Sequence, residues 1–223
     1  MNHPSSSPVR LTPVTARGKR SREKLLRAAE RVFGEKGFED TSIAEICRAA
    51  GCALGSFYVY FADKRAAFVE LVDSLGTRLR FALTRAVIGE KDRLSVERAG
   101  LHAFFRFLGK HRKLYRIVRQ AEFVDHDSFR RYYELLEQSY VAGLRRAMAR
   151  GEIRKLDPVV TSYCLMGIGD FLGMRWALWE SADDARLDEV VDSAMQLLSH
   201  GLAAPGKPTP AKPTPAKSRR SRT

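Results

Sequence analysis

Apolar residues recur at helical spacing along almost the whole of this 223-residue chain, and this periodicity constrains its fold more than any other feature. Strand-like alternation is scarce, and no strand is needed to account for the pattern. The sequence therefore predicts an all-α protein of about nine helices. In the segment 20–36, for example, the apolar residues that share one helical face are Leu25, Leu26, Ala29, Val32 and Phe33.

Helix-start and helix-stop signals divide the periodic pattern into segments. Ser42 and Glu45 have the spacing of a capping box, and Asp63 is a good N-cap for the helix that follows it. Gly37 and Gly51 are good stops, because glycine adopts the left-handed conformation that commonly ends a helix. We expect helices near residues 20–36, 42–50, 53–60, 64–87, 95–109, 111–122, 127–149, 158–179 and 187–200.

The two ends of the chain differ from the rest in composition and charge. Residues 1–18 are rich in Pro, Ser and Thr without periodicity, and residues 203–223 contain KPTPA twice in tandem. We predict a disordered basic arm and a disordered Lys/Pro-rich tail, because such segments bury too little apolar surface to fold. The net charge is +5 in residues 1–24, +6 in 203–223 and only +2 in 25–202. Basic ends are typical of nucleic-acid contact, although they can also serve solubility alone.

The composition argues against several other classes of protein. The longest apolar stretch, within residues 159–179, is interrupted by two charged residues, so no membrane contact is predicted. The first residues lack the apolar region of a signal peptide, which predicts a cytoplasmic, nucleoid-associated protein. Cys47, Cys52 and Cys164 lack the spacing of a metal site and are predicted to be small buried hydrophobes. We expect no metal, no cofactor and no catalytic residue.

The stretch SIAEICRAAGCALGSFYVYFADK, residues 42–64, has the pattern of two helices joined by a tight glycine turn. Such a helix-turn-helix places its second helix in the DNA major groove, which is about 12 Å wide. The tip of that helix must therefore carry small residues. Ala53, Gly55 and Ser56 supply them in this sequence.

Aromatic residues at the end of the second helix divide into two faces. Phe57 and Phe61 are four residues apart and can anchor the helix to a core. Tyr58 and Tyr60 cannot share that face, and their hydroxyl groups suit contact with phosphate. Lys64 follows at the start of the next helix and adds a positive charge.

Residues 22–68 resemble the DNA-binding domain of the TetR family of transcriptional regulators. The resemblance covers about one fifth of the chain. It implies a helix-turn-helix domain over residues 19–64 and a helical ligand-binding and dimerisation domain over 65–202. The positions that carry it are Ala28-Ala29, Phe33, Gly37-Phe38, Thr41-Ser42, Ile46, Ala50-Gly51, Gly55, Tyr58, Tyr60-Phe61 and Lys64.

The resemblance also implies roles for individual residues. Those at Thr41 and Ser42 would touch phosphate at the start of the second helix. Those at Ala53, Leu54, Gly55 and Ser56 would form the tip that reads the bases. Those at Tyr58, Tyr60 and Lys64 would bind backbone phosphate.

Two positions of the reading tip depart from the family pattern. A polar N-cap is common in the family where this chain has Ala53, and a polar or basic residue where it has Leu54. Replacing a Ser cap by Ala costs about 1 kcal/mol of helix stability. Leu54 cannot hydrogen-bond a base edge but can contact a thymine methyl group. The operator sequence therefore cannot be carried over from the family.

The predicted eighth helix is apolar on almost all sides, so we expect it to be buried between its own domain and a partner subunit. Gly169 and Gly173 lie four residues apart, a spacing that allows two helices to approach closely. With Val191 and Leu198 of the ninth helix, they are the predicted dimer interface, in which the last two helices of each subunit form a four-helix bundle.

Aromatic residues crowd the middle of the chain, and some are expected to line an apolar ligand pocket that contains a few polar groups. Asp170 is the sharpest polar candidate, because a carboxylate in an apolar helix is costly unless it is paired. The predicted pocket residues are Phe104, Phe107, Tyr133, Asp170, Phe171 and Trp176.

These features together favour a homodimeric repressor of a palindromic double-stranded DNA operator, released by a small apolar or acyl effector. An architectural DNA-binding protein with little sequence preference is the alternative, because basic ends alone bind DNA in that way. A helical enzyme is a third reading, but the sequence contains no nucleophile–base pair, P-loop or dinucleotide motif.

Overall fold

The computed structural model describes residues 15–202, and all the regular structure in that range is helical. The predicted arm and tail at residues 1–14 and 203–223 lie outside the described residues. The prediction of an all-α chain of about nine helices is confirmed. The helices are α1 Ala16–Lys36, α2 Ile43–Ala50, α3 Leu54–Tyr58, α4 Lys64–Ala86, α5 Arg93–Lys110, α6 Arg112–Val124, α7 His126–Ala149, α8 Pro158–Leu172 and α9 Asp184–Leu202.

The predicted boundary of the N-terminal arm at residue 18 is wrong. Helix α1 begins at Ala16, and the side chain of Thr15 caps it by accepting a hydrogen bond from the backbone N–H of Gly18 at 3.1 Å. The sequence pattern misses this turn because it contains no apolar residue that would extend the buried face of α1.

The first helices assemble around an aromatic core. Phe33 of α1, Phe57 of α3 and Phe68 of α4 are fully buried in it. Phe38 packs back on the end of α1, as predicted, with its ring 5.8 Å from that of Phe33. Helix α6 completes this core from the other half of the chain, by contributing Ile117, Val118 and Ala121.

Helix α6 also touches α1 directly. Gly34 lies so close to α6 that an added Cβ atom would stand 2.5 Å from Cβ of Lys113. The guanidinium of Arg116 donates to the Gly34 carbonyl at 3.0 Å, and Lys113 pairs with Glu35 at 2.5 Å. The helix-turn-helix is thus attached to the second half of the chain along one side of α1.

A second core lies among α5, α7, α8 and α9. Phe105 of α5, Leu144 of α7 and Val191 of α9 are fully buried there. Helix α8 starts at Pro158 with the Asp157 carboxylate accepting from two backbone N–H groups. It continues beyond Leu172 as a π-helical segment, Gly173–Trp179, which packs against α5.

The cysteines are only partly where the sequence places them. Cys47 is buried, as predicted, and Cys52 is half-buried. The prediction for Cys164 is wrong, because this residue lies on an outward face of α8 and is exposed. Among residues 15–202, no helix is both long and apolar enough to cross a membrane.

Candidate DNA-binding surface and internal cavity

Helices α2 and α3 form the predicted helix-turn-helix. Ser42 and Glu45 make a complete capping box at the start of α2, in which the Ser42 backbone N–H donates to the Glu45 carboxylate at 2.9 Å. Gly51 ends α2 in the left-handed conformation, with φ of 61°, so that the chain can turn at once into α3. The local sequence signals therefore fix both ends of the turn.

The capping box also governs the charge of Glu45. The Lys36 ammonium group hydrogen-bonds this carboxylate, and the backbone N–H and hydroxyl of Ser42 do so as well. All three interactions favour the ionised carboxylate, and together they lower the pKa of Glu45 to about 2. Glu45 thus joins the end of α1 to the start of α2.

Helix α3 has one buried face and one exposed face. Phe57 and Phe61 are buried, with ring centroids 5.3 Å apart. Tyr58 is 51% exposed and Leu54 is also exposed, so both are free to meet DNA. Val59 lies beside them and is equally exposed. The sequence does not predict it as a DNA contact, because an aliphatic residue gives no signal of such a contact.

Ala53, Leu54 and Gly55 of the predicted reading tip are exposed. Ala53 precedes α3 and makes no side-chain capping bond, in agreement with the missing polar cap in the sequence. An added Cβ atom at Gly55 would meet nothing within 4 Å, so that backbone is accessible to a groove. Ser56 and Tyr60 are half-buried at the edge of this surface.

Three of the predicted phosphate contacts have partners within the protein. The Thr41 hydroxyl is 3% exposed and donates to the Gly37 carbonyl at 2.6 Å, which is incompatible with direct phosphate contact by that side chain. The Lys64 ammonium donates to the Phe38 carbonyl at 2.7 Å. Ser42 remains exposed while it caps α2. The resemblance to the family predicts these residues as phosphate contacts, but it does not show that they also stabilise the turn before α2.

An internal cavity of about 50 Å³ lies among α4, α5, α6, α7 and α8. At one wall the Tyr115 hydroxyl donates to the Asp170 carboxylate at 2.7 Å, and Arg119 approaches the other carboxylate oxygen at 3.5 Å. Burial and this hydrogen bond raise the pKa of Tyr115. Asp170 is therefore paired, as a carboxylate in an apolar helix has to be.

The structure brings together half of the predicted pocket residues. Phe104, Tyr133 and Asp170 line the cavity. Phe107, Phe171 and Trp176 do not, so those three predictions are wrong. Phe107 packs against the ring of His111, Phe171 is 66% exposed, and Trp176 lines a groove between α8 and α9.

The sequence did contain a signal for further residues of the cavity. Tyr133, Leu136 and Tyr140 of α7 are spaced three and four residues apart and line the same wall. Tyr115 and Tyr132 complete the aromatic lining. The helical spacing of Tyr133, Leu136 and Tyr140 would have identified this wall.

The four predicted dimer-interface residues are all turned inward. A Cβ atom at Gly173 would stand 2.5 Å from Leu108 of α5, and one at Gly169 would be 3.6 Å from Leu101. Val191 and Leu198 are buried in the second core. These predictions are wrong because small residues allow α8 to approach α5 of its own domain. The large apolar residues that α8, its π-helical extension and α9 do expose are Val159, Val160, Tyr163, Phe171, Trp179 and Leu197.

A helix-turn-helix with an open reading tip, carried by a helical domain with its own cavity, defines a two-domain DNA-binding regulator. Residues 25–71 match the family model described as bacterial regulatory proteins, tetR family. The resemblance predicted from the sequence is confirmed: these residues form a TetR-family helix-turn-helix domain, and the chain resembles the transcriptional regulators of that family.

Curated relatives agree with this assignment. The HTH-type transcriptional regulator YdgC of Bacillus subtilis is 29% identical over 200 residues, which cover 86% of this chain and 97% of YdgC. The HTH-type transcriptional regulator EthR of Mycobacterium tuberculosis is 28% identical over 99 residues, 44% of this chain and 46% of EthR. Both relatives are named HTH-type transcriptional regulators.

Solved structures share the fold. GusR of Salmonella enterica superposes with a TM-score of 0.72 at 22% identity, covering 85% of this chain and 98% of GusR. The fatty acid degradation regulator FadR of Bacillus halodurans gives a TM-score of 0.70 at 22% identity, covering 80% of this chain and 94% of FadR. At this level of identity the likeness concerns the fold alone.

Proposed function

We propose that the chain is a cytoplasmic, nucleoid-associated homodimeric repressor, which leaves a palindromic operator when a small apolar or acyl effector enters the internal cavity. Helix α6 is the observation that carries this proposal. Tyr115 and Val118 line the cavity, while Gln120 of the same helix bonds the turn before α2 and Arg116 bonds α1. A displacement of α6 by a ligand therefore moves groups that hold the helix-turn-helix.

The size of the cavity supports a release mechanism. At about 50 Å³ it holds only a small group, so a larger effector has to separate the helices around it. A ligand that fits only the expanded state shifts the population towards that state. In the repressing state, two recognition helices of a dimer would lie about 34–36 Å apart, one turn of DNA.

The DNA contacts are assigned to two groups of residues. Ala53, Leu54, Gly55 and Ser56 would face the bases, with Leu54 against a thymine methyl group. Ser42, Tyr58, Tyr60 and Lys64 would face phosphate. This assignment is supported by the exposure of Ser42 and Tyr58, while Tyr60 and Lys64 are half-buried. Lys64 would need to release a backbone carbonyl in order to reach phosphate.

The proposed dimer interface is the outward face of α8, its π-helical extension and α9. Phe171 and Leu197 are about two-thirds exposed in one chain, and both line an open groove between these helices. Covering such apolar surface stabilises an assembly by about 25 cal/mol per Å². A second copy of the same two helices offers a matching apolar surface, because a two-fold interface is self-complementary.

The effector class is proposed from the lining of the cavity. Its walls are mainly aromatic and aliphatic, with the Tyr115–Asp170 pair as the polar feature. Such a lining suits an apolar or acyl group. The matched FadR structure is named a fatty acid degradation regulator, which supports the same chemical class.

The operator is tested by selecting DNA from a random library with the full chain and measuring the affinity of the selected sequence at several salt concentrations. We expect a palindromic sequence that binds at least about 10³-fold more tightly than unrelated DNA. Equal affinity for all sequences, with a steep salt dependence throughout, would instead indicate an architectural protein.

The dimer is tested by sedimentation of a charged variant of the exposed face. Phe171→Glu should yield monomer at concentrations where the parent chain is dimeric, because an ionised carboxylate would be buried in the interface. Phe81→Glu is the matched control, since Phe81 is similarly exposed but lies on α4. A Phe171→Glu variant that sediments as the parent would place the interface elsewhere.

A further inference from the structure

A second cavity, of about 380 Å³, adjoins the first at the end of α4 that lies far from the helix-turn-helix. It lies between the end of α4, the start of α5 and the second half of α7. The two cavities share four lining residues, Leu83, Gly100, Leu136 and Tyr140. We call the larger one the outer chamber and the smaller, apolar one the inner cavity.

The outer chamber is lined by five basic residues and three acidic ones. Two of the acidic groups already accept hydrogen bonds within the protein. The Asp92 carboxylate caps α5 by accepting from the Ser95 N–H at 2.9 Å. Glu97 accepts from Arg93 and from the Tyr140 hydroxyl. Among the basic groups, Arg150 is held by Glu152. The remaining basic residues that line the chamber are Arg80, Lys91, Arg93 and Arg146.

Arg93 is the most deeply placed of these cations. Its side chain is 8% exposed, and its Nη2 atom donates to Glu97. Its Nε atom is buried and has no hydrogen-bond partner within residues 15–202. Gly143 makes room for this guanidinium, because an added Cβ atom there would stand 2.6 Å from Nη1 of Arg93.

Arg80 of α4 also lines the chamber and also has an unpartnered donor. Its Nη2 atom donates to the Thr77 hydroxyl at 3.1 Å, whereas its Nη1 atom is buried without an acceptor in the described part of the chain. Buried donors without partners are uncommon in folded proteins and usually mark a missing ligand or water. Both guanidinium groups line the chamber, and together with Lys91 and Arg146 they make its wall cationic.

We propose that the outer chamber binds the carboxylate of an amphipathic organic acid, through Arg80, Arg93 and Arg146, with the apolar part of the acid in the inner cavity. Arginine binds carboxylates through directed hydrogen bonds, and Arg80 and Arg93 each retain one donor without a partner among residues 15–202. The inner cavity is too narrow and too apolar for the charged end. This inference rests on the proposed function in so far as it takes the inner cavity as the effector site.

The experiment compares octanoate with octan-1-ol and acetate by titration calorimetry on the full chain. The first probe has both the charge and the apolar chain, the second lacks the charge, and the third lacks the chain. We expect octanoate to bind about tenfold more tightly than either of the others, because hydrogen bonds to an ionised group are stronger than neutral ones.

Variants of the chamber then separate charge from packing. Gly143→Ala displaces only the flexible end of Arg93, and Arg146→Ala removes an exposed cation, so neither should prevent folding. Each should weaken octanoate binding by about three- to tenfold and leave octan-1-ol unchanged. Arg145→Ala is the matched control, because Arg145 is exposed on α7 but does not line the chamber. Thermal melting of each variant verifies that it is folded.

Equal binding of octanoate and octan-1-ol would overturn the inference, as would octanoate binding that neither Gly143→Ala nor Arg146→Ala weakens. Acetate that binds as tightly as octanoate would contradict the amphipathic ligand.

Operator release, measured with the same probes, distinguishes the two proposals. If octanoate binds through the arginines but the operator stays bound, the carboxylate site stands and the effector role fails. If octan-1-ol releases the operator as well as octanoate does, the effector role stands and the carboxylate site fails.

Discussion

The side-chain oxygen Oε1 of Gln120 accepts a hydrogen bond from the backbone N–H of Phe38 at 2.7 Å. Gln120 belongs to α6, and Phe38 opens the turn that leads into α2. Gly37 precedes Phe38 and lies beside the Gln120 amide, and its φ of 91° turns the chain away from α1. A side chain of α6 thus bonds the turn that precedes the helix-turn-helix.

Gln120→Ala should weaken the response of DNA binding to effector. The variant leaves the partly buried Phe38 N–H without its acceptor, which costs about 1–3 kcal/mol of folding free energy. Urea unfolding measures that loss, and operator titration with and without effector measures the coupling. We expect a coupling free energy smaller than that of the parent chain.

The control for this variant is Gln138→Ala, since Gln138 is exposed on α7. It should change neither unfolding nor coupling. If Gln120→Ala lowers stability but leaves the full effector response, then the Gln120 bond supports the fold without transmitting the ligand signal.

Gly173→Ala should destabilise the protomer rather than the dimer alone. The new methyl group would stand 2.5 Å from Cδ1 of Leu108 and 3.2 Å from Phe104, and Leu108 is itself buried. Overpacking of this kind typically costs about 1–3 kcal/mol. The loss should appear as a lower urea midpoint for unfolding.

Gly167→Ala provides the comparison on the same helix. An added Cβ atom at Gly167 meets nothing within 4 Å, so Ala should be neutral or stabilising by up to about 1 kcal/mol in folding. An effect of Gly173→Ala confined to dimer dissociation, with unfolding unchanged, would restore the interface that the sequence predicts for Gly173.

The two glycines show which features the sequence can predict and which it cannot. The helix-turn-helix is specified by local signals, such as the Ser42–Glu45 capping box and Gly51, and each signal acts within one turn of helix. The orientation of Gly173 is not local. Helical periodicity shows that α8 is apolar on all sides, but it does not show which side meets α5 and which remains exposed. The same ambiguity explains the wrong prediction that Phe171 lines the ligand pocket.

The capping box should make stability depend on pH in a defined direction. The pKa of Glu45 is lowered to about 2 from its ordinary 4.5, so its carboxylate stabilises the folded state fully above about pH 4.5. That contribution is lost as the pH falls through the folded-state pKa near 2. Glu45→Gln should therefore melt at a lower temperature than the parent at pH 7.

At about pH 2 the melting temperatures of the two chains should nearly converge, because the unfolded-state carboxyl group is then protonated, the folded-state one is about half protonated, and most of the stabilisation by the carboxylate is lost. Melting followed by circular dichroism at pH 7, 4 and 2 provides the measurement. A difference that stays constant over this range would assign the effect of the substitution to the shape of the side chain rather than to its charge.

Tyr58→Phe should weaken operator binding while preserving the fold. Tyr58 is about half exposed, and its ring lies 5.7 Å from that of Phe57, so the substitution keeps the packing and removes only the hydroxyl. Losing one hydrogen bond to phosphate costs about 1 kcal/mol of binding free energy, and the loss should be equal across operator variants. Fluorescence anisotropy with the selected operator and a set of single-base variants measures both quantities.

Leu54→Ala is the informative comparison, since it should instead change affinity most where a thymine is replaced. An unchanged affinity for Tyr58→Phe would remove this residue from the phosphate contacts, and a change in base preference would assign it to the reading tip.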